Sequence, residues 1–307
     1  MPAEVHVHVI DAGEGASALL ASAVMEIAGD AGAPVVAVGP TAGLGILARG
    51  GLRVSAWCNP PCGIMRLGAR PVARAVRAAC SGAEPNALTC WSADARRASD
   101  LSVCVRRAMP RAQVQMGAIG EALMALDRGG CLGVKVCSGT VDASDARRDA
   151  RAALGVAESS LVVVGAADAP LRANAVRMLD VAGRAMLAGA DVHLVLPDCM
   201  PDMSRTRRYA YGLGLEPRLH IVEDAASPSP WWGAADAVLV TEESPLVCAA
   251  ARAMGMPAVS APGQGGDEAT PERRAASATV RDAAAVALVA MARARHQLAM
   301  NASAASV

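Results

Sequence analysis

Short apolar runs rich in β-forming residues alternate along the chain with longer segments whose apolar positions recur every three or four residues. The runs at 5–10, 34–38, 53–57, 87–91, 101–105 and 132–136 predict strands, and the segments 16–28, 69–79 and 118–127 predict helices between them. The second half repeats the pattern. Strands are expected at 161–164, 190–196, 219–223, 237–241 and 257–261, with helices over 145–154, 171–188, 204–213 and 281–300. Regular alternation of this kind predicts an α/β fold of doubly wound parallel sheets, because parallel strands need a helical crossover between them.

The stretch from Ala235 to Pro262 carries the most local information. An apolar strand ends at Thr241, Ser244-Pro245 opens an Ala-rich helix, Gly255 closes it, and a second strand follows. A right-handed crossover then sets Glu242, Glu243 and Ser244 at a strand's carboxyl end beside a helix N-terminus, where free N–H groups and the helix dipole favour phosphate. Near the start, Asp11-Ala12-Gly13-Glu14-Gly15 makes a tight strand-to-helix turn. A full Gly-x-Gly-x-x-Gly dinucleotide pattern would need glycine at position 18, which is Ala18.

Composition narrows the reading. A length of 307 residues predicts two domains, and a 53% hydrophobic composition with mean hydropathy +0.30 is ample for two cores. The net charge of zero supplies no bulk field for nucleic acid or an acidic membrane, so any attraction for phosphate must be local. Phe is absent, and one Lys stands against 28 Arg, a bias read as coding preference. Nine Cys without regular spacing read as small buried hydrophobes in a reducing compartment. Cys58 and Cys62 form a lone Cys-x3-Cys with no second pair to complete a metal site. His193 and His220 fall in predicted strands and are read as structural. The N-terminal residues do not resemble a signal peptide, and no apolar run approaches the length of a spanning helix, so a cytoplasmic protein is expected.

The order Trp231-Trp232-Gly233-Ala234-Ala235-Asp236, a strand, Glu242-Glu243-Ser244-Pro245-Leu246-Val247, and then Ala253-Met254-Gly255-Met256-Pro257 resembles the donor-binding signature of two-domain GT-B glycosyltransferases, especially the family-4-like retaining enzymes. The resemblance implies an acceptor-side domain over 1–140 and a donor domain over 141–307, facing a cleft, with the last helix packing back on the first domain. Ser138-Gly139-Thr140-Val141-Asp142 takes the place of the family's interdomain linker. Glu242 takes the first position of the family's Glu-x7-Glu pair and is expected to contact the donor sugar, a role Glu243 could exchange with it. The resemblance places Ser244, Pro245, Leu246 and Val247 in the loop expected to hold the diphosphate, through the N–H groups of all but Pro245. Gly165 and Arg172 belong to the same donor site, and Gly13, Glu14 and Gly15 to the acceptor side. The substrates implied are a nucleotide sugar and a glycan or small-molecule acceptor, with no metal and no separate cofactor. The donor phosphate can itself act as base, so no catalytic His is required.

Two positions depart from the family pattern: Ala250 stands where the second Glu holds the ribose, and Ala166 where an Arg neutralises the diphosphate. They favour a second reading, a degenerate scaffold that binds a glycan or a partner. A carbamoyltransferase is suggested by Ser204-Arg205-Thr206-Arg207, but such a phosphate motif belongs early in the first domain of those enzymes. A sugar-nucleotide epimerase on the same scaffold is compatible with everything local.

Overall fold

Among the described residues, two five-stranded sheets, every pairing parallel, account for all the strands. Strands β1 (His6–Asp11), β2 (Val35–Val38), β3 (Ala56–Cys58), β4 (Ala87–Trp91) and β5 (Gln113–Met116) lie in the order β3-β2-β1-β4-β5. Strands β6 (Leu161–Gly165), β7 (Val192–Pro197), β8 (Leu219–Val222), β9 (Ala237–Val240) and β10 (Ala258–Ser260) lie in the order β10-β9-β6-β7-β8. The winding is the same in both: the first strand is central, flanked by the second and the fourth. The computed structural model describes residues 5–13, 17–59, 69–118, 121–122, 125, 143–223, 230–241, 244–261 and 271–304. The chain divides into two compact units, Met1–Leu132 with Asp168–Arg172, and Gly133–Ala167 with Ala173–Val307. Residues 138–142, the expected linker, lie outside the described residues, as do the expected strand 132–136 and most of the expected helix 118–127.

In the first unit, α1 (Ala18–Ala31) and α2 (Thr41–Arg49) cover one face, and α3 (Ala69–Ala79) and α4 (Ala95–Ala108) the other. Val72 and Val76 of α3 and Leu101 and Val105 of α4 pack onto Val7, Val9, Val36, Val38 and Leu88. The second unit adds α5 (Ala143–Ala153), α6 (Ala175–Leu187), α7 (Met203–Gly212), α8 (Pro230–Ala234), α9 (Pro245–Ala253) and α10 (Pro271–Ala304). Met178, Leu179 and Ala182 of α6, Ala210 of α7, and Ala284, Leu288 and Ala292 of α10 close over Leu161, Val163, Leu194 and Leu239. The last helix thus contributes its small-residue face to the core of its own unit. Strands buried on both faces explain the near-continuous Val, Leu and Ala runs.

One sequence expectation is corrected. Residues 101–105 are not a strand but the middle of α4, which Asp94 caps by accepting the Arg97 N–H at 2.9 Å. Four β-favouring or apolar residues around a single serine look like a strand in isolation. The longer window places Ala98, Leu101, Val105 and Ala108 on one buried helical stripe, and tertiary burial of that stripe overrides local propensity.

The amino ends of β6 and β9 are tied by a buried ion-pair network. The Arg151 side chain, 1% exposed, donates to Asp236 Oδ2 at 3.2 Å and to the carbonyls of Ala234, Ala157 and Ser160 at 2.9, 2.8 and 2.5 Å. Asp236 also accepts the Val162 N–H at 2.8 Å and Arg147 Nη2 at 2.5 Å.

A polar layer lies in the first sheet. The Trp91 indole N–H donates to His8 Nδ1 at 2.9 Å, and His6 Nε2 lies 2.8 Å from Thr89 Oγ1. Because Trp91 can only donate, His8 Nδ1 must be unprotonated. Burial first, and the neighbouring His6 second, lower the His8 pKa to about 4. His220 in β8 is likewise lowered to about 4, by burial and then by His193. A base whose folded pKa is depressed stabilises the fold above its unfolded pKa and loses that contribution as pH falls towards the folded value. Chemical denaturation should therefore show the first unit losing roughly 2–3 kcal/mol between about pH 6.5 and 4. His8→Asn, which keeps an acceptor for Trp91, should flatten that limb. An unchanged slope in the variant would rule His8 out as its source.

Candidate functional site

In an open sheet wound both ways, ligands bind at the carboxyl ends where the winding reverses. That point lies between β1 and β4 in the first unit and between β6 and β9 in the second.

In the second unit, β6 ends at Gly165, and the Ala166 N–H donates to Leu239 of β9 at 3.0 Å, fixing the two strand ends side by side. A Cβ at Gly165 would stand 2.5 Å from Leu196 Cδ2 and 2.7 Å from Met178 Sδ, so a larger residue here would have to displace the ends of these two core side chains. Ala166 and Ala167 are buried. Beyond β9, Thr241 is buried with no hydrogen-bond partner for Oγ1 among the described residues. Ser244 precedes Pro245 at the first turn of α9, and its carbonyl accepts the Cys248 N–H at 3.0 Å. Leu246, Val247, Ala250 and Ala251 form the buried face of this helix, which Met254 and Gly255 (φ 70°) terminate. The expected strand, Ser-Pro helix start, glycine stop and strand are therefore all present. Glu242 and Glu243 lie outside the described residues, as does the Arg172 side chain; its backbone forms a 3-10 turn, Pro170–Arg172. Trp232 is buried in the core of the unit.

In the first unit, the fully buried Asp11 at the end of β1 organises the turn. Its carboxylate accepts the Gly13 N–H at 2.7 Å, the Ser92 hydroxyl at 3.0 Å, and Arg97 Nε and Nη2 at 2.8 and 3.3 Å. A Cβ on Gly13 would meet Arg97 Nη2 at 2.3 Å, so the guanidinium occupies the space a side chain would need. Glu14 and Gly15 lie outside the described residues. The brace joins β1, β4 and the start of α4. Sequence reading singled out Gly13 but missed Asp11, Ser92 and Arg97, which stand more than eighty residues apart as partners and have no local signature.

Other reactive groups do not converge. His193 Nδ1 and His220 Nε2 bond each other at 3.0 Å across β7 and β8, and burial lowers both. Burial pushes the Cys90 thiol up to about 12 and raises Cys58 and Cys104, which makes poor thiolate nucleophiles of them. Among the described residues no three His, Cys, Asp or Glu gather as a metal would require. No helix among them is long and apolar enough to cross a membrane.

No family model and no curated protein matches the sequence. Solved structures match over nearly the whole chain. Anabaena HepE in complex with UDP and glucose superposes with a TM-score of 0.53 at 16% identity, covering 98% of this chain and 100% of that one. A glycosyltransferase from Rickettsia africae gives 0.50 at 10% identity, covering 97% and 98%. S. aureus MnaA with UDP gives 0.52 at 11% identity, covering 83% and 78%. At such identities the likeness establishes the fold, the two-unit α/β arrangement of GT-B-like proteins.

Proposed function

We propose that the chain binds a nucleotide sugar at the switch point of its second sheet and transfers the sugar, with retention, to a glycan or small-molecule acceptor. The observation that carries this reading is the junction itself: β9 ends at Val240 with Thr241 just beyond it, and α9 begins at Pro245 after Ser244 beside the carboxyl end of β6, in a fold that matches HepE with UDP and glucose end to end. In this reading Glu242, or Glu243 in its place, holds the sugar, and the turn from Ser244 to Val247 holds the diphosphate through the helix start. Gly165 provides the close floor, Arg172 a cation, and Gly13, Glu14 and Gly15 the acceptor side. Metal is not required, and the donor phosphate serves as base.

Ala250 and Ala166 qualify the reading. Ala250 lies on the buried stripe of α9 with Leu246, and Ala166 is buried at the end of β6, so neither position offers a charged group to a ribose or a diphosphate. A charge-assisted hydrogen bond contributes roughly 1.5–3 kcal/mol, so donor affinity should be about ten- to a hundredfold weaker than in a protein that keeps those charges. The same two residues support the second reading, a scaffold that binds without turnover.

A thermal-shift panel of nucleoside diphosphates and sugar nucleotides tests the proposal, since a ligand at one hundred times its dissociation constant stabilises by about 2.7 kcal/mol. UDP and UDP-glucose are expected to raise the melting temperature, and Glu242→Gln to reduce the response to UDP-glucose more than that to UDP. A flat panel would remove the nucleotide-sugar reading. Stabilisation without sugar transfer to water or to any offered glycan would favour the binding module.

A further inference from the structure

We propose that helix α7 of the second unit is a docking surface for an anionic lipid bilayer. The chain has two tyrosines and no phenylalanine, and both tyrosines stand exposed on this one helix, Tyr211 at 72%. Thr206 and Ala210 turn inward, and the Thr206 hydroxyl is spent on the Asp202 carbonyl at 3.1 Å. Around the rest of the helix Arg207, Tyr211, Arg208, Arg205 and Tyr209 follow one another, all exposed. The Ser204-Arg205-Thr206-Arg207 run, which suggested phosphate chemistry in the sequence, is thus a surface and not an active-site loop. The exposed arc contains no acidic residue, and none of its three guanidinium groups makes a hydrogen bond or ion pair among the described residues.

Exposed aliphatic residues occur on the same pair of packed helices. Leu213, just past the helix, is exposed, and so is Leu187 at the end of α6, at 62%. The two helices pack together, and Gly183, one turn before Leu187, abuts Leu215. Arginines interleaved with tyrosines and flanked by exposed leucines suit a bilayer interface, where guanidinium groups meet phosphate, aromatic rings sit at headgroup depth and aliphatic chains reach the acyl region. A nucleic acid would use the arginines and tyrosines but leave the leucines in water. With a net charge of zero the protein has no bulk field to add to this attraction, which must be local. The proposal is independent of the donor-site reading.

Helix α3 supplies the control, because Arg70, Arg74 and Arg77 line its exposed side as a second three-arginine stripe without aromatic residues. Co-sedimentation of the full chain with phosphatidylglycerol-rich vesicles and with phosphatidylcholine vesicles is the experiment. Each near-surface arginine is worth about fivefold in partition, so Arg205→Gln/Arg207→Gln/Arg208→Gln should weaken binding to the anionic vesicles on the order of a hundredfold. Arg70→Gln/Arg74→Gln/Arg77→Gln should leave it within about twofold, by the same scale. Tyr211→Ser with Leu187→Ser should weaken it severalfold, and salt should weaken the parent protein. Circular dichroism verifies that each variant is folded. Equal losses from the two arginine triples would reduce the effect to general electrostatics and overturn the proposal. So would equal binding to both vesicle types, absence of vesicle binding, or capture by an RNA homopolymer without capture by vesicles.

Discussion

Arg151→Met is expected to lower the stability of the second unit by roughly 3–5 kcal/mol, and its melting temperature by roughly 6–20 °C, seen as a separate early transition in calorimetry. The reason is what the substitution leaves behind. Arg151 satisfies Asp236 and the carbonyls of Ala234, Ala157 and Ser160 at the amino ends of β6 and β9. Methionine fills much of the volume but donates to none of them, so a carboxylate and three carbonyls lose a buried donor at once. Asp236 would keep Arg147 and the Val162 N–H, which is why the loss should fall short of unfolding the unit at low temperature. Arg151→Lys should recover only part, since an ammonium cannot reach four acceptors spread about a planar fork. A loss below about 1 kcal/mol in the methionine variant would show that water replaces the guanidinium freely, as at a surface ion pair.

This brace also marks where sequence reading stops. The helix 145–154 was legible from its Arg-rich amphipathic spacing, and the structure places it at Ala143–Ala153. That Arg151 turns inward while Arg148 stays outside was not legible, because it depends on carbonyls contributed by segments up to eighty-three residues away. Strands β1, β4, β6 and β9 could be read almost to the residue: β6 and β9 are continuous apolar runs, as burial on both faces requires, and β1 and β4 are short β-forming runs bounded by turn residues. Strand β5, Gln-Val-Gln-Met, could not: it lies at a sheet edge, buries Val114 alone and carries polar residues on either side. Helix α2 begins at Thr41 after Pro40 with no side-chain cap and holds two glycines, so nothing local announces it. Of the candidate site, the strand, the Ser244-Pro245 start and the Gly255 stop are local features and were visible. The burial of the Thr241 hydroxyl, without a partner among the described residues, and the Asp11–Arg97 brace are products of tertiary packing and were not.

The carboxyl end of the first sheet offers the second large effect. Arg97→Met should cost the first unit roughly 3–5 kcal/mol, because it leaves Asp11 fully buried with its carboxylate facing, among the described residues, the Ser92 hydroxyl and the Gly13 N–H but no cation. Asp11→Asn should cost less, as Arg97 is 19% exposed and can turn its charge towards water while the amide still accepts from Gly13. The double variant is the informative one. Once both charges are gone, the buried carboxylate no longer needs compensation, and Asp11→Asn/Arg97→Met should be more stable than Arg97→Met alone. The interaction energy from the double-mutant cycle should reach roughly 1–3 kcal/mol. Strict additivity would mean that the two groups contribute separately, with Arg97 merely packing over the turn. Coupling would establish that Asp11, by holding Ser92, Gly13 and Arg97 together, sets the geometry of the β1 turn; Gly13 could then move only with the brace, and any ligand recognised there would read a turn fixed in advance by a buried ion pair.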